Sequence, residues 1–322
     1  MEKMKICEIN DNFFIDEKGI LREKGVYSDS QNQTKDAFSF KWRQKSSYNS
    51  EKFHADYKEW LRLKYFSNDE DMLNKVFPDG SIVLDAGCGA GLCSINLLGK
   101  KKLKKIYYIG IDISEAVDEA KKNLDEIGCD GNCEFVQCDL NNIPISKKVD
   151  AIISEGVLHH TDSTKDGILN LSKMIKPGGY FCFYVYAKKA PIREFTDDYI
   201  RDYFKDKNNE ETWIELKKLT KLGKVLGDLN ISINIEEDIP FLGIKAGKIN
   251  LQRFFYWYLF KCFYKEGYDI EEMNHVNFDW YRPQNCHRQT PDEVKKWCEE
   301  ACLKIERMNV EESGITVVAI KK

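Results

Sequence analysis

The chain has 322 residues, 42% hydrophobic and 32% charged, with a formal net charge of −4 at pH 7 and a pI of about 5.9. This length buries a sizeable core and exceeds a common single-domain size, so one domain with an insertion, or two small domains, is expected. The acidic balance argues against a nucleic-acid surface, and no apolar run is long enough to span a bilayer.

The 11 cysteines include no Cys-x-x-Cys pair, and no signal peptide is read ahead of them. Reduced thiols in a cytoplasmic protein are therefore expected. The 5 histidines are scattered without a repeated carboxylate–histidine spacing, so no metal site is expected.

Residues 1–50 are polar and mixed, and read as an N-terminal arm. Residues 13–16 and 19–22 suit a small hairpin across Glu17-Lys18, and an aromatic segment ends at Trp42 and Arg43. A helix follows with Phe53, Tyr57, Trp60, Leu61 and Tyr65 on one face. Ser67-x-x-Glu70 reads as a capping box for a short helix carrying Met72, Leu73 and Val76. Pro78-Asp79-Gly80 is a turn into the first buried strand.

That strand, residues 82–86, runs into Gly87-Cys88-Gly89-Ala90-Gly91 and then a helical pattern. Strand, glycine-rich turn and helix N-terminus make a nucleotide-type pocket. The glycines admit a ligand close to the backbone, and the helix offers free N–H groups. The spacing is G-x-G-x-G rather than the dinucleotide G-x-G-x-x-G. Asp85 stands just before the turn, where it repels a pyrophosphate and welcomes a cation. Asp112 ends the next apolar run and suits two ribose hydroxyls. Asp139 ends a third, within reach of an adenine amino group.

Ser114 suits the cap of the helix that Gly128 ends. A fourth strand, 149–154, leads to Glu155-Gly156-Val157-Leu158-His159-His160-Thr161-Asp162. The next helix stops at Lys176-Pro177-Gly178-Gly179, and the fifth strand is 180–186. Strand and helix alternate as in a parallel sheet. Residues 188–289 read as a mostly helical insertion at the sheet's C-terminal edge, where ligands bind in open α/β folds. Within it, 251–264 is almost wholly apolar and aromatic. It reads as a lid helix, or equally as a helix in the insertion's own core. A membrane-surface helix is a weaker third reading. Thr290-Pro291-Asp292-Glu293 starts a capped helix, and residues 303–306 and 315–320 are the last strands.

Three acids at three successive strand ends, with one glycine turn, resemble a class I S-adenosylmethionine (SAM)-dependent methyltransferase over residues 82–186 and the C-terminal tail. A Rossmann-like domain for NAD or another adenosine ligand is the bland alternative. The resemblance implies an α/β, Rossmann-like seven-stranded sheet with a helical lid after strand five. The core would span 51–187 and its last helix and two strands 290–322. It implies SAM as cofactor, S-adenosylhomocysteine as product, and cofactor contacts from Asp85, Ala86, Gly87, Cys88, Gly89, Gly91, Asp112, Ile113, Asp139, Leu140, Glu155 and Gly156. Trp42 and Arg43 are candidates for an arm folded over the cofactor.

The His-His-x-x-Asp loop is similar to that of some natural-product sugar O-methyltransferases. This makes His160 or His159 the candidate base, with Asp162 as an orienting partner. Asp279-Trp280-Tyr281-x-Pro283 followed by a histidine resembles a subset of bacterial methyltransferases of glycan and secondary-metabolite pathways, and makes Tyr281, Arg282 and His287 candidate acceptor contacts. The expected activity is methylation, at oxygen, of a small or medium-sized acceptor with apolar surface, without nucleic acid as partner. The alternatives are a non-catalytic SAM-binding scaffold or regulatory protein, and a protein or RNA methyltransferase.

Overall fold

The computed structural model describes residues 6–322. The N-terminal hairpin forms as expected, from β1 (Phe13–Ile15) and β2 (Leu21–Glu23). Helices α1 (Asp29–Arg43), α2 (Glu51–Phe66) and α3 (Glu70–Val76) lead to β3 (Ile82–Ala86). Then come α4 (Leu92–Leu103), β4 (Tyr107–Asp112), α5 (Ala116–Glu126), β5 (Cys133–Gln137), β6 (Val149–Glu155), α6 (Thr164–Ser172) and β7 (Ile175–Tyr186). The core closes with α11 (Pro291–Glu300), β10 (Leu303–Val310) and β11 (Gly314–Lys321). Between β7 and α11 lie α7 (Pro191–Phe204), α8 (Asn209–Asp228), the hairpin β8 (Ser232–Ile235) with β9 (Gly247–Asn250), the single turn α9 (Leu251–Phe254), and α10 (Ile270–Tyr281).

The main sheet has nine strands in the order β1-β2-β5-β4-β3-β6-β7-β11-β10. The expected seven are there, with β5, β4, β3, β6 and β7 parallel and β11 antiparallel to β7. The other two are the N-terminal hairpin, whose β2 pairs parallel to β5 through Leu21↔Val136. The arm is thus an edge extension that covers β5 rather than a free linker.

Apolar side chains serve both faces of the parallel strands, as a sheet covered on both sides requires. Val83, Tyr108, Ala151 and Cys182 pack with Leu61, Leu97 and Leu124 of α2, α4 and α5. Leu84, Ile109, Ile152 and Phe181 pack with Ile168, Leu171, Val294 and Cys298 of α6 and α11.

Three local expectations change. Ser67 is the left-handed C-cap of α2, and α3 is capped by Asp69, whose carboxylate takes two N–H groups that Ser67 does not reach. The α5 N-cap position is Glu115, while the Ser114 hydroxyl bonds Asp112 and accepts the Ala116 N–H. Segment 251–264 is not one helix. After α9 the chain makes a π-helical turn (Phe255–Leu259) and becomes extended at Phe260, φ −164°. Extended chain then lies on α8, where a Cβ at Gly223 would stand 2.8 Å from the Cys262 carbonyl, and one at Gly227 2.4 Å from the Tyr264 ring. By contrast Thr290 and Glu293 form the expected capping box of α11.

The 188–289 segment leaves and rejoins the core at one place. Ala187 bridges Gln289, Lys188 N–H donates to the Gln289 carbonyl, and Gln289 N–H donates to the Tyr186 carbonyl.

Candidate active site

Gly87 and Cys88 both donate N–H to the Ile111 carbonyl, which folds the turn back over the end of β4. Gly87, Gly89 and Gly91 have φ of 86°, 51° and 78°. A Cβ at Gly87 would lie 2.3 Å from the Val157 methyls, and one at Gly89 2.9 Å from the Trp42 indole. The turn is therefore clasped between the β6 loop and α1, with no room for side chains.

Asp112, at the end of β4, accepts from Gly89 N–H (2.8 Å), Ser114 N–H (2.8 Å) and the Ser114 hydroxyl (2.5 Å). Burial raises its carboxyl pKa against these hydrogen bonds, which favour the anion. Burial likewise raises Asp139, whose Oδ1 accepts from Asn141 N–H.

A cavity of about 1120 Å³ opens above the strand ends, from the glycine turn to the segment between β7 and α11. Among the residues expected to touch cofactor, Gly87, Gly89, Asp112, Ile113, Asp139, Leu140, Glu155 and Gly156 line it. Asp85, Ala86, Cys88 and Gly91 do not. Asp85 is 1% exposed and accepts from Ser94 Oγ (2.6 Å) and Tyr108 Oη (2.8 Å), with burial pushing its pKa up to about 6. Ala86 is covered, and its carbonyl accepts from Ser154 Oγ. Cys88 is buried, its thiol donating weakly to the Gly89 carbonyl, and Gly91 heads α4 against Leu124.

Glu155 faces the cavity with its carboxylate already engaged by Lys64 Nζ (2.5 Å) and Tyr65 Oη (2.6 Å). The Lys64 ammonium lies 3.4 Å from the centre of the Trp60 ring and 3.9 Å from that of Tyr184. Burial lowers its pKa against the pull of Glu155. The sequence marks only an apolar face in α2, and nothing local distinguishes Lys64 from a surface lysine.

The arm contributes more than expected. Gln31, Thr34, Phe38, Lys41 and Trp42, one stripe of α1, line the cavity. Trp42 covers Gly89, while Arg43 turns outward to Glu115.

His160 lines the cavity and His159 does not. The Nδ1–H of His160 donates to the Asn285 carbonyl (2.7 Å), which leaves Nε2 as the lone-pair nitrogen, buried and without a partner among the described residues. Burial lowers its pKa to about 4, so the ring is neutral at physiological pH. His159 is fully buried against Tyr186, ring centroids 3.7 Å apart, and cannot meet an acceptor. Asp162 reaches the pair only indirectly. It accepts from Asn285 Nδ2 (2.8 Å) and from Ser28 and Ser30 of the arm.

None of the three expected acceptor contacts lies on the cavity wall. Tyr281 is buried, donating to Asp197 Oδ1 (2.6 Å) and the Lys261 carbonyl (3.0 Å). Arg282 ties Asn209 Oδ1 and the Lys207 carbonyl, and His287 is exposed, its Nε2 3.0 Å from the Thr161 carbonyl. Tyr281 and Arg282 thus brace the insertion internally, and His287 ties it to the loop after β6. The wall is made instead by neighbours in the same segment. Asp279 pairs with Lys41 and accepts from Tyr186 Oη (2.5 Å). Burial pushes the Asp279 carboxyl up, but nearby cations, Lys41 foremost, outweigh it and hold the group well below the usual range. No group of metal-holding side chains occurs among the described residues.

The wall fits SAM. Carboxylates sit where ribose and adenine are expected, the glycine turn forms a cradle that a Cβ would fill, and aromatic faces suit a sulfonium cation.

Residues 78–225 match a family described as "Methyltransferase domain". The chain is 32% identical over 146 residues to the probable tRNA methyltransferase 9B of Mus musculus, covering 43% of this chain and 27% of that protein. It is 32% identical over 131 residues to the tRNA (carboxymethyluridine(34)-5-O)-methyltransferase ALKBH8 of Mus musculus, covering 39% and 18%. Among solved structures it is similar to the magnesium protoporphyrin IX methyltransferase of Synechocystis PCC 6803, with TM-score 0.49 and 16% identity, covering 91% of this chain and 100% of that one. The chain thus spans about a quarter or less of the length of these curated relatives.

The relatives' names overturn the expectation of a small-molecule acceptor without nucleic acid. Net charge averages over a whole chain and does not report the lining of one cavity. Residues 78–225 thus match a methyltransferase domain, and they carry the Rossmann-like strands and glycine turn whose cavity fits SAM.

Proposed function

We propose that this chain transfers a methyl group from SAM to an RNA acceptor of the tRNA kind. The observation that carries the transferase reading is the continuity of one cavity from the glycine turn and Asp112 to the wall built by α7, α10 and the 255–264 segment. The acceptor class is drawn from the named tRNA methyltransferases that the domain resembles.

In this reading Asp112 takes the ribose hydroxyls, Asp139 and Leu140 meet the adenine, and Gly87 and Gly89 admit the methionine moiety. SAM, when bound, supplies an activated methyl group on sulfur. The protein's part is to align the acceptor and exclude water. Positioning of this kind contributes on the order of 7–11 kcal/mol to lowering a barrier. Trp42, Tyr184, Tyr186 and Trp257 are the aromatic wall that excludes water. His160 Nε2 is the proton acceptor at the wall. With a pKa near 4 it is a weak base, so alignment carries most of the rate.

The test is incubation of the full chain with methyl-labelled SAM and host extract separated into tRNA, protein and small-molecule fractions. Nuclease-sensitive label in the tRNA fraction, lost in Asp112→Ala, is the expected result. Label confined to protein or small molecules overturns the acceptor class, and no label in any fraction, with SAM bound, overturns the transferase reading.

A further inference from the structure

The wall formed by α7, Lys261 and Trp280 carries buried positive charge that the protein leaves incompletely answered. Arg193 is 1% exposed. Its Nε donates to Asp197 Oδ2 at 3.0 Å, but its Nη1 is buried with no partner among the described residues. Its guanidinium carbon lies 4.8 Å from the centre of the Tyr256 ring, 5.6 Å from Trp257 and 5.1 Å from Trp280. Lys261 is 4% exposed, and its ammonium, 5.1 Å from the centre of the Trp280 ring, makes no hydrogen bond or ion pair among the described residues. Lys189 stands beside them, its ammonium held by the Glu312 and Ser313 carbonyls. All three line the cavity.

The acids nearby are already committed. Asp197 accepts from Arg193, the Lys261 N–H, Trp280 and Tyr281. Asp279 accepts from Lys41 and Tyr186. A buried charged donor without a partner is costly, and two converging on one cavity are placed to receive a ligand. Aromatic faces behind them fix the cations in place and keep the site dry, which strengthens their hold on an anion.

We infer that Arg193 and Lys261, with the field of Lys189, form an oxyanion subsite in the acceptor half of the cavity, which takes a carboxylate or phosphate group of the acceptor. This rests on the reading that this half of the cavity holds the acceptor. It also explains the placement of the 255–264 segment, since the break in helix at Phe260 is what brings Lys261 to the wall. The burial that lowers the Lys261 pKa to about 7 is what an arriving anion would reverse.

The experiment is calorimetric titration of the full chain, saturated with S-adenosylhomocysteine, with inorganic phosphate in one arm and acetate in the other. Saturable binding of either anion is expected. It should weaken at least about tenfold in Lys261→Met and return in Lys261→Arg, with S-adenosylhomocysteine affinity unchanged. Tighter acetate identifies a carboxylate acceptor and tighter phosphate a phosphorylated one. Equal anion affinity in Lys261→Met, or no binding to the wild-type chain, overturns the subsite.

If Lys261→Met fails to bind S-adenosylhomocysteine, the wild-type chain decides. The binding anion should slow acylation of Lys261 by a small activated ester at pH 7 and leave exposed lysines unaffected; absence of protection overturns the proposal. Because these readouts need no methyl transfer, anion binding without label in tRNA removes the nucleic-acid reading and leaves the subsite standing.

Discussion

The two ends of the cavity are built by different physics. At the glycine end, backbone does the work. Positive φ angles, N–H groups bonded to one carbonyl, and a close fit against Val157 and Trp42 shape the cradle. At the other end, side-chain charge does the work. Asp197 gathers four donors, Asp279 holds Lys41, and Arg193 and Lys261 face the cavity. The first is set by neighbours in sequence and tolerates little change of shape. The second is set by residues dozens of positions apart and tolerates little change of charge.

Removing the hub of the second end should have the largest effect. Asp197→Ala leaves Arg193 buried without its counter-charge, strips Trp280 of its acceptor and leaves Tyr281 only the Lys261 carbonyl. Breaking a buried pair from one side costs about 3–5 kcal/mol, to be read from denaturant midpoints. If the two ends are as separable as their construction implies, S-adenosylhomocysteine still binds wherever the variant remains folded. Joint loss in a folded variant would break the comparison.

The converse change is Gly87→Ala. It sets a Cβ 2.3 Å from Val157 at φ 86°, and should weaken S-adenosylhomocysteine binding by at least about 100-fold. Adding Val157→Ala should recover part of that loss by relieving contact but not backbone strain.

Asp85 sharpens the contrast, because it belongs to the glycine motif but lies in the core. Its folded pKa, about 6, is raised by burial above the ordinary aspartate value of 3.8. The folded state therefore holds the proton more tightly. The associated stability is fully present below about pH 4 and is lost as pH rises through 6, to a total of roughly 2–3 kcal/mol. Asp85→Asn should flatten that decline in pH-dependent unfolding and change S-adenosylhomocysteine affinity only a few-fold. A large loss of affinity would return Asp85 to the cofactor's contacts.

The smallest effect is expected at His160. A group already neutral, with pKa about 4, does not titrate between pH 6 and 9. His160→Gln should lower turnover less than about tenfold with an unchanged pH profile over that range.

The same division explains what was legible in the sequence. Apolar runs, glycine spacing and the Thr290–Glu293 box are local signals, and the strands, turn and helix they mark are all found. The N-terminal hairpin was also local, but its joining β5 was not, since one Leu21↔Val136 register leaves no trace at either position. Tyr281, Arg282 and His287 misled because polar side chains near a site look alike in sequence whether they face a ligand or brace a wall. Lys64 and Lys261 were missed for the complementary reason, as burial of a lysine is decided by elements far away in the chain. The aromatic run misled on helix length, because extended chain at Phe260 is fixed by a fit against Gly223 and Gly227 on another helix.

The junction at Ala187 and Gln289 has an evolutionary consequence. Because outgoing and returning strands are zipped side by side, the sheet experiences the 100-odd residues between them as it would a short loop. One such cassette is exchangeable for another without disturbing strand register or the glycine cradle. Acceptor choice can diverge quickly on a cofactor platform that hardly changes.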